Sequence, residues 1–356
     1  MRPARLTAPA LLTSALLALG ATTATTATAA PSAPTSAPLA VSATTAAAGM
    51  TYARLSGADR YSTSVAISRA NFTPTQDVVV IASGQDFPDA LGAGPLAALV
   101  EAPLLLVPTS GTLPAVVAAE LDRLKTQDVI VVGGDASVST SMVKQIEAHT
   151  ASKMAYQVPG SNRFDTAAQL TEFFDPTLTG VPVYLASGTT FPDALGGGAA
   201  ASLAGGYLLL TAPTKLPAET AAALKRVKPS EVIVLGGPTI VSDAVLSQVR
   251  AAVPALASSK THRIAGKDRF ATSAMTSADA LPAANEVLLT NGLQYPDALS
   301  GAAVAPYFGG RPVLLTQKDC VPATTLAEIK RLGATKVTAL GGTGVVSDAA
   351  LKLKAC

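Results

Sequence analysis

The chain has 356 residues, 49% of them apolar but only 4% aromatic, with no tryptophan and two cysteines. That length fits two or three domains, and their cores must be built from Ala, Val, Leu and Ile. The formal charge of +2 comes from Arg2 and Arg5; without them 24 basic side chains face 24 acidic ones, a balance that argues against nucleic acid as the partner.

Residues 1–29 read as a secretory signal. Arg2 and Arg5 make a positive start, residues 8–19 form an apolar stretch too short to span a bilayer, and Ala27-Thr28-Ala29 offers a small-residue cleavage site. Residues 30–51 are almost wholly Ala, Thr, Ser and Pro and read as a spacer. No later segment qualifies as a membrane span, because the most apolar one, residues 87–100, is short and carries Asp89.

From residue 52 the chain alternates strand and helix signals. Residues 58–72 have helical spacing, and residues 77–81 are a β-branched run suited to a parallel strand buried on both faces. Residues 87–100 are the next helix, with Pro88 in the first turn and Asp89 at the positive end of its dipole. A strand at 103–107, a helix at 113–124 and a strand at 128–132 follow, and Ser139 is placed to cap a helix over 141–148. This order predicts a doubly wound parallel α/β sheet.

The same unit is then written twice more. Ser83-Gly84-Gln85-Asp86-Phe87-Pro88-Asp89-Ala90-Leu91 returns at 187–195 and at 291–299, with the aromatic at 87, 191 and 295. A glycine-containing run leads each time to an arginine and an aromatic: Arg60-Tyr61, Arg163-Phe164, Arg269-Phe270. Leucine pairs recur at Leu105-Leu106, Leu209-Leu210 and Leu314-Leu315, and double glycines at Gly133-Gly134, Gly236-Gly237 and Gly341-Gly342. A period near 100 residues is domain-sized, so the expected units are 52–156, 157–259 and 260–356. The helix after each Pro-Asp-Ala-Leu has almost no polar face. Such a helix must be buried, which predicts packing between units around a pseudo-threefold axis.

Strand-end loops hold the candidate site residues. The double glycines either bring backbone N–H groups toward an anion or serve as tight turns. Asp89, Asp193 and Asp297 are the most constant charges and suffice as helix caps. Arg60, Arg163 and Arg269 either pair with an acid across a unit interface or face an anionic ligand. His149 and His262 stand at unrelated phases of the repeat, and no metal, nucleotide or nucleophile motif occurs. No cofactor, metal or catalytic residue is therefore expected. Cys320 and Cys356 lie in one unit of an exported chain, which favours a disulfide over two unpaired thiols.

These motifs together resemble the cell wall-binding repeat of type 2, a three-copy module of secreted Gram-positive proteins. The resemblance covers residue 52 onward. It implies three Toprim-like or Rossmann-like α/β domains in a triangular arrangement within one chain. It also implies non-covalent anchoring to anionic wall polymers, teichoic-acid-like or another wall glycopolymer, with the leucine pairs important for retention. The second unit departs from the pattern, with Gln157 for the leading arginine and Tyr207 for a proline. The expectation is a secreted, wall-associated binding protein without catalysis of its own, for which a wall enzyme is a further candidate partner. The alternative is a secreted hydrolase that acts on wall glycans through the α/β cleft.

Overall fold

The computed structural model describes residues 49–173 and 176–356. The signal segment, 1–29, and nearly all of the spacer lie outside the described residues. Twelve parallel strands build three four-stranded sheets. The first sheet has the order β3 (Leu104–Val107), β2 (Val78–Ser83), β4 (Asp128–Val132), β5 (Ala155–Val158). The second is β7 (Tyr207–Thr211), β6 (Val183–Ser187), β8 (Val232–Leu235), β9 (Thr261–Ile264). The third is β11 (Val313–Thr316), β10 (Glu286–Asn291), β12 (Lys336–Leu340), β1 (Thr51–Leu55).

The strand that opens each repeat therefore joins the sheet of the repeat before it. β5 pairs with β4, β9 pairs with β8, and β1 closes the ring on β12 in a register from Thr51↔Lys336 to Leu55↔Leu340. Each repeat supplies three strands to its own sheet and one to a neighbour's. The central strands are buried along their length, as apolar runs without alternation require.

The outer helices are α1 (Arg60–Asn71), α4 (Ala115–Leu124) and α5 (Thr140–Glu147) in the first repeat. Their counterparts are α6 (Arg163–Phe173), α8 (Ala218–Val227) and α9 (Asp243–Ala252), then α10 (Arg269–Ala280), α12 (Ala323–Leu332) and α13 (Asp348–Leu351). Asp59 caps α1 through the Ser62 amide, and Ser139 caps α5 through the Met142 amide, as its position predicts.

The central helices are α2 (Phe87–Ala90) with α3 (Ala93–Leu99), α7 (Pro192–Leu203) and α11 (Pro296–Ala303). The first repeat thus has two short helices where a single one over 87–100 is expected. Pro95 has no N–H to offer the Leu91 carbonyl, and the ladder breaks there. The second repeat has Ala199 at the corresponding turn, and its helix runs unbroken. The three central helices pack against one another pairwise, as their missing polar faces require. At Gly94 a Cβ would come within 2.7 Å of the Ala302 methyl, so this glycine sets how closely the helices approach. The rings of Phe87, Phe191 and Tyr295 meet around the same axis, with centroids 5.5, 5.7 and 5.7 Å apart. One apolar cluster runs continuously through all three repeats.

The Cys320–Cys356 disulfide is present, with Cα atoms 4.8 Å apart. It pins the loop before α12 to the last residues, which also pair through the Val321 amide on the Lys354 carbonyl at 2.7 Å.

Candidate functional site

Each repeat builds the same constellation where its central strand ends. The arginine is the first residue of the helix that follows the opening strand, fixed by an Asp or Asn immediately before it. Asp59 and Asp268 cap through side-chain oxygens, and Asn162 accepts from the Phe164 and Asp165 amides at 2.9 and 3.0 Å. So placed, the guanidinium reaches the glycine of the Ser/Asn-Gly loop. Arg163 donates to the Gly188 carbonyl at 2.7 Å and Arg269 to the Gly292 carbonyl at 2.9 Å, and Arg60 makes the same bond to Gly84. The glycines are required there. A Cβ would lie 3.0, 2.6 or 2.9 Å from the ring edge of Tyr61, Phe164 or Phe270 respectively. The arginine–aromatic pair and the loop glycine, far apart in sequence, are two halves of one contact.

None of the three arginines forms an ion pair with an acid among the described residues. Arg163 and Arg269 make no further hydrogen bond there, so most of their donors remain uncommitted. Arg60 is more engaged. Its Cζ lies 6.0 Å from the centroid of the Tyr295 ring, and the Tyr295 hydroxyl donates to the same Gly84 carbonyl at 3.2 Å.

The aspartates lie behind the arginines, at the starts of the central helices. Asp89 accepts from the Ser137 hydroxyl. Burial pushes the Asp297 carboxyl up to about 6, against a smaller opposing pull from Arg60 of the first repeat. Burial also raises Asp193, opposed by a hydrogen bond from Thr272 and by the charge of Arg269. Arginine and aspartate thus influence each other across two of the seams without forming contact pairs.

The double glycines adjoin these carboxylates. Gly133, Gly236 and Gly341 have φ of 98°, 93° and 100°, and a Cβ on any of them would collide with an oxygen of Asp89, Asp193 or Asp297. Their N–H groups bond the carbonyls of Val158, Ile264 and Leu55, so they tie in the strand arriving from the next repeat. Gly134, Gly237 and Gly342 begin the turn that follows, through carbonyls accepting from Ser137, Ile240 and Val345. The leucine pairs, Leu105-Leu106, Leu209-Leu210 and Leu314-Leu315, are fully buried in β3, β7 and β11. They reach no surface in this fold, so an effect on retention would act through the sheet.

Two contacts at the seams were not legible from the motifs. Arg54 donates to the Gly341 carbonyl and pairs with Asp348 at 2.9 Å, and Arg263 repeats this with Gly236 and Asp243 at 2.9 Å. At the remaining seam Gln157 replaces the arginine and Thr140 stands where the aspartate would be, so both partners change together. The in-phase recurrence of Arg54 and Arg263 was the signal, but their partners lie one repeat away. His149 sits 2.9 Å from Asp122, and His262 lies 3.4 Å from Glu231. Neither joins the arginine constellation. No group of three His, Cys, Asp or Glu among the described residues is arranged to hold a metal, and no described helix is long and apolar enough to cross a membrane.

The chain matches the family profile "Cell wall binding domain 2 (CWB2)" three times, at residues 54–143, 157–246 and 263–351. It is 30% identical over 261 residues to N-acetylmuramoyl-L-alanine amidase LytC of Bacillus subtilis (strain 168), covering 73% of this chain and 49% of that protein. It is 27% identical over 297 residues to the amidase enhancer of the same organism, covering 83% and 39%. The chain therefore spans half or less of these curated relatives. Among solved structures, Cwp6 from Clostridium difficile aligns with TM-score 0.78 at 26% identity, covering 86% of this chain and 48% of Cwp6. Cwp8 from the same organism aligns with TM-score 0.72 at 23% identity, covering 83% and 50%, and supports the fold.

Proposed function

From a chain that belongs to the cell wall binding domain 2 family, and is a cell wall-binding protein, we propose a narrower reading: it is exported and holds non-covalently to anionic wall polymers through its three arginine sites. One observation carries this. Each guanidinium is held in place by a loop carbonyl, and at Arg163 and Arg269 the remaining donors have no partner among the described residues. A planar fork positioned but unspent is suited to phosphate or carboxylate. Export rests on the signal-like residues 1–29. Without Arg2 and Arg5 the chain is neutral and has no bulk attraction for a polyanion, so local cations must supply the contact. Three weak contacts on one rigid frame gain through effective concentration.

The test is the triple variant Arg60→Ala/Arg163→Ala/Arg269→Ala in pulldowns on purified walls with and without their anionic polymer. Retention should fall at least ~10²-fold while the melting temperature changes little, as avidity predicts. If binding and melting temperature collapse together, the arginines hold the fold and the polymer contact lies elsewhere.

The hydrolase alternative has less to rest on. The constellation offers no nucleophile common to the repeats, since Ser83 and Ser187 correspond to Asn291, and Asp86 corresponds to Thr190 and Gln294. A zymogram on purified wall would display any lytic activity. A relative named as an amidase and another named as an amidase enhancer make a wall enzyme a reasonable partner to test in the same pulldown.

A further inference from the structure

The three arginine sites are built alike but do not share one electrostatic setting. Residues 52–156 carry seven basic and ten acidic side chains, residues 157–259 six and seven, and residues 260–356 eleven and seven. Residues 52–356 are neutral in sum but polarised, with their positive charge gathered in the third repeat.

The excess is concentrated beside the site. Two residues before the arginine stand Ala58, Ser161 and Lys267; only the third is a cation, and it is exposed. In the loop after the leucine strand, the residue whose carbonyl accepts from the Ser139, Ser242 or Ser347 amide is Thr109, Pro213 or Lys318. Again only the third repeat has a lysine there, and it is exposed. The glycine loop of the first repeat carries Asp86, where the others have Thr190 and Gln294.

Hydrogen bonds link Arg269 to the end of the strand that precedes Lys318. Arg269 donates to the Gly292 carbonyl at 2.9 Å, and the Gly292 amide donates to the Thr316 carbonyl at 2.9 Å. Thr316 is two residues from Lys318. The loop holding Lys318 is then tied to the tail by the Cys320–Cys356 disulfide and by the Val321 amide on the Lys354 carbonyl, and Lys352 and Lys354 are exposed on that tail. The acids along this edge are Asp268, occupied in capping the Ala271 amide, Asp319, exposed beside Lys318, and Asp348, next to Ser347 and paired with Arg54 at 2.9 Å. None of Lys267, Lys318, Lys352 and Lys354 forms an ion pair among the described residues.

We propose that the anionic polymer lies along the carboxyl edge of the third sheet, where Lys267, Arg269 and Lys318 form one basic track, so that the third repeat is the principal contact. This rests on the anionic-polymer reading above. The shared chemistry is a repeating anion, phosphodiester or uronate. Arg60, drawn onto Tyr295 and flanked by Asp59 and Asp86, is the weakest of the three sites.

The test compares Lys267→Gln/Lys318→Gln with Lys144→Gln/Lys225→Gln, which removes two exposed helix lysines from the first two repeats. Titrations use the full chain with soluble poly(glycerol phosphate) and with polygalacturonate, over a range of salt; the polymer that binds distinguishes phosphate from carboxylate. The track variant should lose about tenfold in affinity and have a shallower salt dependence, as the loss of two contacting charges requires. The control should change less than about twofold, and Lys267→Arg/Lys318→Arg should restore binding. Equal losses in track and control variants would make net charge the cause and overturn the track. Undiminished binding by the track variant would overturn it as well. Failure of the unaltered protein to bind either polymer would instead bring down the anionic-polymer reading, and the track with it.

Discussion

At Asp297 a single carboxyl records how the central helices pack. It is buried, and its titration is raised from 3.8 to about 6 because burial outweighs the charge of Arg60. The folded state therefore binds a proton more tightly than the unfolded state. The associated stability is fully present below pH ~4 and is lost as pH rises through about 6. Asp297→Asn fixes the neutral form, so it should raise the melting temperature at pH 7 and leave it nearly unchanged at pH 4. Equal effects at both pH values would show that the residue matters for shape and not for charge. The neighbouring Gly341 is constrained from both sides, by φ of 100° and by the Asp297 carboxylate. Gly341→Ala should cost ~1–3 kcal/mol in a denaturant titration, whereas Gly342→Ala, which faces open space, should cost less than ~1 kcal/mol.

Elements were legible where one repeat could be read against the others. Strands such as 77–81 and 128–132 declared themselves as β-branched runs, and the Pro-Asp-Ala-Leu helices as apolar cylinders that needed company. The break at Pro95 shows the limit of reading by phase, because a feature private to one copy is easily averaged away. So does the support beneath the outer helices. In the first repeat the buried Glu120 accepts from Ser68, Arg69 and Arg123, and although burial raises its carboxyl, these bonds hold it below the usual carboxylate range. The third repeat keeps this with Glu328, Ser277 and Arg331. In the second, Ala223 takes the acid's place, and Arg226 turns to Glu172 at 2.6 Å instead. Such compensation depends on a helix packed ~50 residues away and has no local signature. The disulfide belongs to the same scale. It closes 36 residues, for which chain entropy gives ~3–4 kcal/mol. Cys320→Ser/Cys356→Ser should lower the unfolding free energy by up to that amount. An unchanged denaturation midpoint would mean that the Val321–Lys354 pairing alone holds the tail.

At the scale of the whole molecule, sequence repeats and sheets are offset by one strand, and this was the least legible feature. A run such as 52–55 looks the same whichever sheet accepts it; only the geometry of the ring decides. The consequence is that β1 and β12, separated by about 285 residues, form the closing seam. That seam includes the five-residue register, the Gly341 amide on the Leu55 carbonyl and the Arg54–Asp348 pair at 2.9 Å. Closing so long a loop is entropically costly, though the cost grows only slowly with length, and contacts made across it come late in folding. A chain beginning at residue 57 should therefore keep its first two sheets, leave β12 as an open edge and self-associate through it. Its melting temperature should fall, and a synthetic peptide of residues 49–56 should restore it by pairing in trans. Arg54→Ala should reproduce only part of the loss, because it removes the pair with the exposed Asp348, ~1 kcal/mol or less, and the bond to the Gly341 carbonyl, ~1–3 kcal/mol, but leaves the strand pairing intact. A shortened chain that stayed monomeric and melted at the original temperature would show that the ring is held by its central helices alone. The first strand would then be a cover on the third sheet and not its fourth member in any energetic sense.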